Sequence, residues 1–339
     1  MKKSFLAVVF MLGFFISSTT FAAAPYYDGK TIRIIVGASA GGGWDTYARL
    51  ISRYFGKHIP GKPTVIVENM IGAASLACVN YVSKIAKPDG LTIGVFNGGL
   101  FFSEAMGQPG IEFDARKLVY LGAPIRDDSV TAFSKKSGIT SMEKLMSAKT
   151  PVKMGGVGRG ANVDNNIRVL KEALGLPIQL IAPYGGTADI RLAVESGELA
   201  GASWQWSSMR ATWRKALQSG DVVVVLQGVP KPLPDLPKVP LAISYAKTDE
   251  ARQLIEVGIH NSGIFSRPYV LPPATPKEQA QILTKAFADT LKDKELLAEA
   301  KKMRLDFEPV SAPDLEQAVA SIRKLDPVMM AKLKDILYK

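Results

Sequence analysis

The hydrophobic pattern changes character twice within residues 30–52, and it predicts a strand, a loop and a helix there. Residues 31–36 are a nearly unbroken β-branched run, which is typical of a parallel strand buried on both faces. Apolar side chains then recur at helical spacing from Tyr47 to Phe55. The loop between them, residues 37–45, contains three consecutive glycines. Glycine lets the backbone approach a ligand closely, and the unpaired N–H groups of a helix start favour anions, so this turn predicts an anion site.

The same turn has a simpler explanation, which the pattern leaves open. Glycines permit any tight connection between a strand and a helix, and Asp45 is suited to cap the helix that follows. A ligand role for the loop therefore depends on what the rest of the chain places beside it.

Buried-strand patterns recur at intervals of roughly thirty residues, which predicts parallel βαβ units. Residues 64–68 and 91–96 are apolar runs, and a helical pattern over 73–85 separates them. The second run ends in another glycine loop, residues 97–99. Because the carboxyl ends of parallel strands meet at one edge of a sheet, we expect this loop to lie beside the first.

The middle of the chain repeats the same succession and predicts a second α/β lobe. A strand over 152–154, a glycine loop over 155–162 and a helix over 163–174 copy the opening element. A strand over 178–182 then leads into a loop over 183–187 with two more glycines. Shorter apolar runs predict further strands over 118–122, 131–134, 200–203 and 222–226.

The connections between these elements predict two lobes. Residues 228–240 hold five prolines and suit an irregular return to the first lobe, where residues 264–271 supply a strand. Helices with capping sequences begin near Thr275 and Ser311. We therefore predict an α/β fold with an interdomain ligand cleft, in which lobe 1 is made of residues 23–122 and 229–339 and lobe 2 of residues 123–228.

The amino-terminal pattern predicts a secretory signal peptide. Lys2 and Lys3 precede an apolar run over residues 5–16, and small residues follow it up to Ala24. We assign the signal to residues 1–22 and expect export to the periplasm. The alternative is that the segment remains as a membrane anchor, although the run is shorter than the ~20 apolar residues that span a bilayer.

Composition argues against several kinds of chemistry. Cys78 is the only cysteine and the chain has two histidines, so we expect no disulfide, no metal and no cofactor. Cys78 lies in a helical pattern and suits a core position better than a nucleophilic one. Neither an HExxH nor a GxSxG pattern occurs. We therefore expect no catalytic residues and no enzyme.

The charge balance of the chain is basic. Its formal value is +11, or +9 without Lys2 and Lys3. A basic balance raises the local concentration of anions, including carboxylates, and it equally suits a membrane surface or nucleic acid. Export argues against nucleic acid, and the basic residues are dispersed along the chain. We expect a small anion as the partner, no nucleic acid, and a monomer.

The glycine loop of the second lobe allows two kinds of ligand. Residues 156–161 match G-x-G-x-x-A, so a dinucleotide is one alternative. That fingerprint also requires an acidic residue after the next strand, which binds the ribose. Here the next strand is followed by Ala182-Pro183-Tyr184, which contains no acidic residue, so a ligand other than a dinucleotide is favoured. Arg159 in this loop could grip a carboxylate through two parallel hydrogen bonds, or it could be a solvated surface side chain.

Aromatic and hydroxyl groups near these loops could likewise serve either a ligand or the fold. Trp204 and Trp206 could wall a cleft and stack on a flat ligand, or they could pack in the core. The hydroxyls of Tyr184 and Thr187 could reach a ligand or only the local backbone.

Five stretches taken in order resemble a known protein family over nearly the whole chain after the signal. They are GASAGGGWDTYARL, TVIVENMIGAASLACVNYV, KPDGLTIG, GGVGRGAN and APYGGTADIRLAVESGELAG. The set resembles the extracytoplasmic solute receptors of tripartite tricarboxylate transporters, the Bug family. The resemblance implies a two-lobed periplasmic-binding-protein type II fold that closes on a small organic anion and delivers it to transporter membrane subunits.

The resemblance also implies how a ligand is held. In that family the first glycine loop and the loop matching residues 156–162 hold a carboxylate, largely through backbone amides and bridging waters. This chain departs from the pattern, because Gly37 and Ala40 stand where prolines are usual and Arg159 stands where small polar residues are common. The predicted ligand-binding residues are Ser39, Ala40, Gly41, Gly42, Gly43, Asp45, Asn97, Gly98, Gly156, Gly158, Arg159, Gly160, Asn162, Tyr184, Gly185, Thr187 and Trp204.

Three functional hypotheses remain open. The first is a receptor that presents a captured carboxylate to a permease, and the second is a receptor that feeds a signalling partner. The third is a secreted enzyme acting on a small acid, which is disfavoured because no nucleophile, base and orienting residue form a set. For a receptor we expect four loops to face one cleft, namely residues 37–45, 97–99, 156–162 and 184–187.

Overall fold

The computed structural model describes residues 24–338, so the predicted signal peptide lies outside the described residues. Within this range, no helix combines the length and the apolar character needed to cross a membrane. The described strands form two five-stranded sheets. They are β1 (Thr31–Val36), β2 (Thr64–Asn69), β3 (Thr92–Val95), β4 (Val119–Gly122), β5 (Ser129–Ser134), β6 (Val152–Gly155), β7 (Ile178–Ile181), β8 (Gly201–Gln205), β9 (Val222–Gly228) and β10 (Tyr269–Leu271).

The first sheet has the order β2-β1-β3-β10-β4. Its first three strands are parallel, with Ile34 opposite Val67 on one side and Ile93 on the other. β10 returns from the far end of the chain and runs antiparallel, with Tyr269 opposite Val95. The loops that follow β1, β2 and β3 therefore leave the sheet at the same edge.

The second sheet has the order β7-β6-β8-β5-β9 and repeats this plan. β6 is parallel to its two neighbours, with Met154 opposite Leu180 and Gly201. β5 enters from the first lobe and pairs antiparallel with β8 and β9. The chain thus crosses between the sheets twice, through residues 123–128 and residues 229–268, which we call the first and second crossing segments.

Helices pack against both sheets. They are α1 (Gly43–Phe55), α2 (Leu76–Lys84), α3 (Leu100–Ala105), α4 (Met142–Met146), α5 (Asn162–Leu174), α6 (Thr187–Ser196), α7 (Trp206–Thr212), α8 (Arg214–Ser219), α9 (Asp249–Ile255), α10 (Lys277–Thr290), α11 (Lys294–Met303), α12 (Ala312–Ile322) and α13 (Pro327–Tyr338). Ser311 caps α12 as predicted, since its hydroxyl accepts from the Asp314 N–H. The helices α1 and α5 follow the two main glycine loops.

Apolar side chains from the strands and helices make a dense core in each lobe. In the first lobe, Tyr47 and Phe55 of α1 are fully buried, and Phe55 meets Phe287 of α10 edge to face. Cys78 is fully buried, as its helical pattern predicted, and burial raises the pKa of its thiol to about 12. The thiol is therefore uncharged at neutral pH.

Both sheets are mixed, because each contains one antiparallel strand next to a crossing segment, β10 in the first sheet and β5 in the second. One expectation about the first sheet is corrected. The returning strand, predicted over 264–271, is only Tyr269–Leu271, and Asn261–Phe265 forms a 3₁₀ helix instead. Phe265 packs against Phe101 and Phe102 from this helical turn, so its apolar character reflects burial rather than a strand.

Candidate ligand-binding site

The glycine loop after β1 is held in place by the carboxylate of Asp45. Gly41 has a φ of 76°, a conformation that favours glycine, and its N–H donates to Asp45 Oδ2 at 2.8 Å. The Asn69 side-chain amide donates to Asp45 Oδ1 at 3.0 Å. The predicted cap is therefore corrected: Gly42 caps α1, and Asp45, the third helical residue, reaches back to the loop.

The charge of Asp45 suits this position. Burial alone would raise the pKa of Asp45, but hydrogen bonds from Arg49, Gly41 and Asn69 hold it below its ordinary value. The carboxylate is thus ionised at neutral pH, and it lies in the first turn of α1, where the helix dipole favours an anion. The Asp45 carboxylate therefore occupies the Gly41 amide of this loop, which an external anion would otherwise bind.

The loop after β6 repeats this arrangement with Asp164, the third residue of α5. Its Oδ1 accepts from the N–H of Val157 at 2.6 Å and from that of Gly158 at 3.0 Å. Burial raises the pKa of Asp164 to about 6, although the two amides act in the opposite direction. The amides of Gly41, Val157 and Gly158, in loops that the resemblance assigned to a ligand carboxylate, therefore bind carboxylates of the protein.

The glycine loops of the two lobes meet through direct hydrogen bonds. The Ser39 N–H donates to the Gly185 carbonyl at 3.2 Å. Asn97, which is fully buried, donates to the Gly160 carbonyl at 2.8 Å and accepts from the Asn162 N–H at 3.0 Å. The structure thus brings all four predicted loops together between the lobes.

A cavity of about 570 Å³ opens between the lobes beside these loops. That volume lies within the ~300–1,000 Å³ of small-molecule sites. Its walls come from Gly37, residues 71–76, α3, residues 108–111, the loops after β6 and β7, and the end of α13. Apolar side chains make most of the lining, and Arg159 is the only charged residue among the described residues that line it.

The guanidinium of Arg159 is free to bind a ligand. Arg159 is exposed, and it makes no hydrogen bond or ion pair with another residue between 24 and 338. A free guanidinium at the wall of a largely apolar cavity can bind a carboxylate through two parallel hydrogen bonds.

Four predicted ligand-binding residues line this cavity: Gly158, Arg159, Tyr184 and Gly185. The Tyr184 hydroxyl donates to a carboxylate oxygen of Glu198. Burial and this hydrogen bond raise the pKa of Tyr184 to about 12, so the hydroxyl keeps its proton at neutral pH. The other predicted residues lie outside the lining. Twelve belong to the loops or to the helix starts that follow them: Ser39, Ala40, Gly41, Gly42, Gly43, Asp45, Asn97, Gly98, Gly156, Gly160, Asn162 and Thr187. The thirteenth is Trp204 of β8.

The prediction for Trp204 is corrected from a cleft residue to a core residue. Trp204 is fully buried in β8, opposite Val130 of β5. Its ring stacks on that of Trp213, with centroids 5.1 Å apart and planes 16° apart. It cannot contact a ligand in the cavity.

The segment after β2 forms one wall of the cavity and was missed from the sequence. Gly72, Ala73, Ala74 and Ser75 all have positive φ, which residues other than glycine rarely adopt. The helix predicted from residue 73 therefore begins only at Leu76. Ser75 Oγ donates to the Gly37 carbonyl at 2.7 Å and so ties this left-handed turn to the first glycine loop. The one available signal is a glycine shortly after a strand end.

A buried ion pair joins the two crossing segments, and it too was missed. The side chains of Asp127 and Arg267 are 2% and 1% exposed and are bonded to each other. Arg267 also donates to Ser208 Oγ at 2.8 Å and to Ser207 Oγ at 3.1 Å. Its guanidinium lies 4.2 Å from the centre of the Tyr47 ring. The group links both crossing segments to α1 of the first lobe and α7 of the second.

A curated protein is similar to part of this chain. It is the UPF0065 protein in the TAR-I ttuE-ttuC′ intergenic region of Agrobacterium vitis, 30% identical over 223 residues. The match covers 64% of this chain and 62% of that protein, so it spans less than two thirds of the relative's length. UPF0065 is the Bug family. No family model matches the chain.

Solved structures share the fold over most of the chain. The periplasmic binding protein BugD is 20% identical with a TM-score of 0.72, covering 91% of this chain and 98% of its own. MatC from Rhodopseudomonas palustris, with bound malate, is 18% identical with a TM-score of 0.70, covering 91% and 99%. An R. palustris protein with adipate is 18% identical with a TM-score of 0.72, covering 91% and 97%. These likenesses confirm the predicted fold class of two α/β lobes.

Proposed function

We propose that this chain is a periplasmic solute-binding protein of the Bug family, which captures a small organic carboxylate between its lobes. It is exported by the signal in residues 1–22, and it delivers the ligand to the membrane subunits of a tripartite tricarboxylate-type transporter. The observation that carries the proposal is the cavity between the lobes, which is lined by loops of both sheets and by Arg159, whose guanidinium has no partner among residues 24–338.

Binding without catalysis fits the groups that line this cavity. The Ser75 hydroxyl is bonded to a backbone carbonyl, and the Ser103 hydroxyl is 2.6 Å from that of Tyr338. Neither serine hydroxyl has a base beside it in the described lining, as a nucleophile would need. Malate and adipate in two neighbouring structures support a carboxylic acid as the ligand.

The two lobes of this receptor are residues 23–122 with 229–339, and residues 123–228. Capture closes them by a hinge motion in the crossing segments, near Gly122 and Gly228. Gly122 has a φ of 123°, where glycine is favoured, and the Asp127 N–H donates to the Gly263 carbonyl at 3.1 Å. The crossing segments are thus bonded to each other close to the proposed hinge.

Organic acids should stabilise the purified protein against heat. A ligand at 100 times its Kd adds ~2.7 kcal/mol to the free energy of unfolding, provided that it does not bind the unfolded chain. A thermal-shift screen against an organic-acid panel, with sugars and amines as controls, measures this effect. Stabilisation by sugars or amines and by no acid would contradict the proposed function.

Arg159→Ala should weaken acid binding roughly tenfold. A hydrogen bond to a charged group contributes ~1.5 to 3 kcal/mol, and the exposure of Arg159 favours the lower end of that range. Arg159→Lys should recover only part of the loss, because an ammonium cannot form the paired bonds. Calorimetric titration with the strongest acid from the screen measures both variants.

Lys171→Ala is the matched control for Arg159, because it removes a positive charge from an exposed site in the same lobe outside the cavity. We expect its Kd to stay within about twofold of the wild type, well under 1 kcal/mol. Equal affinities for Arg159→Ala and Lys171→Ala would mean that Arg159 makes no bond to the ligand.

A further inference from the structure

The wall of the cavity on the side of the first lobe is apolar. Ile71, Leu76, Leu100 and Ile111 contribute to it. The Ile71 side chain is 56% exposed at this wall. An exposed apolar side chain beside a cavity gains free energy when a hydrocarbon covers it, so this wall favours a ligand with an apolar body.

Most hydroxyl groups in the lining are already bonded to other parts of the protein. Ser75 donates to a backbone carbonyl, Ser103 is paired with Tyr338, and Tyr184 donates to a carboxylate. Among the described residues of the lining, Arg159 supplies the only positive charge. Arg159 is therefore the one cation that the described lining offers to an anion.

A single cation beside an apolar wall favours a ligand with one carboxylate. One carboxylate can pair with Arg159 while the rest of the molecule covers the apolar wall. A second carboxylate at the far end would leave water for an apolar surface without a cation to pair with, and burying an unpaired charge is costly. The cavity thus discriminates against acids that carry charges at both ends.

We propose that the ligand is a monocarboxylate with an apolar body, whose carboxylate binds Arg159 and whose hydrocarbon covers Ile71 and Leu76. This proposal rests on the proposed function, because it narrows the class of acid that the receptor captures. It separates this chain from receptors of dicarboxylates and tricarboxylates.

Calorimetric titration of the exported, purified protein with two matched pairs of acids tests the proposal. Hexanoate and adipate differ by a second carboxylate, and so do benzoate and terephthalate. In each pair of which a member binds, the monocarboxylate should bind tenfold or more tightly than its partner. A smaller preference, or the reverse order, in either pair would overturn the proposed ligand class and leave a carboxylate receptor. Absence of binding by all four acids and by the wider panel would overturn the proposed function as well.

Two surface variants test where the hydrocarbon lies. Ile71→Ser should weaken binding of the preferred monocarboxylate at least threefold, because less apolar surface is covered. Leu192→Ser is the control, since Leu192 is 58% exposed and lies outside the lining. Its affinity should stay within twofold of the wild type. Unchanged affinity in Ile71→Ser would overturn the proposed position of the hydrocarbon.

Discussion

Asp127→Ala should lower the free energy of unfolding by about 3 to 5 kcal/mol, the cost of removing one partner of a buried ion pair. The Arg267 guanidinium would stay in the interior with its charge unbalanced, because Ser207 and Ser208 supply only neutral hydroxyls. Both crossing segments depend on this pair, so the loss should appear in the unfolding of the whole chain. Urea denaturation followed by tryptophan fluorescence measures it.

Two comparisons isolate the buried charge in that experiment. Asp289→Ala removes the partner of Lys285 in a pair whose side chains are 79% and 39% exposed, so it should cost less than about 1 kcal/mol. Arg267→Met in the Asp127→Ala background removes the second charge and should recover part of the loss. A stability of Asp127→Ala within 1 kcal/mol of the wild type would contradict our account of the pair.

Gly43→Ala should weaken ligand binding on the order of ten- to a hundredfold by holding the lobes apart. A Cβ at Gly43 of α1 would overlap Ser208 Oγ of α7 and lie 2.5 Å from Ser208 Cβ. Overpacking of this kind costs about 1 to 3 kcal/mol. We expect the cost to fall on the lobe arrangement of this structure, in which α1 meets α7. If the proposed hinge closure forms this contact, the apparent Kd rises as the fraction of closed molecules falls. Calorimetric titration with the strongest acid from the screen measures the change.

A double-mutant cycle identifies the source of that loss. Ser208→Gly removes the atoms that a new Cβ would meet, at the expense of one hydrogen bond to Arg267. In this background, adding Gly43→Ala should change the Kd less than threefold. A loss as large as in the wild type would show that the methyl group acts within α1 and leaves the approach of the lobes unaffected.

The strands and loops that build the site were predictable because their signals are local. The β-branched run over 31–36 forms β1 with the same bounds, and glycines follow β1, β3 and β6 as expected. Parallel pairing then places these loops at one edge of each sheet. That the two edges face each other depends on how the crossing segments join the lobes. The positions of the backbone elements in the site were thus contained in short stretches of sequence.

The features that the sequence did not predict depend on tertiary contacts. Asp127 and Arg267 are 140 residues apart, and no local pattern pairs them. The left-handed turn at Ala73 and Ala74 contradicts the helical preference of alanine, and it persists because the surrounding packing fixes it. The burial of Trp204 likewise depends on a tertiary contact, the stacking of its ring on that of Trp213. The carboxylates that bind the loop amides did leave a signal in the sequence. Each main glycine loop is followed by an aspartate at the third position of its helix, Asp45 in α1 and Asp164 in α5.

Those two aspartates have a consequence for how such a receptor can diversify. Because Asp45 and Asp164 satisfy amides of their own loops, those amides are held without any contribution from the ligand. Substitutions at the apolar wall or at Arg159 can therefore change the preferred solute while the loop backbone is preserved. If the proposed function holds, descendants of one ancestral gene acquire new solutes through a few side-chain replacements while both aspartates are retained.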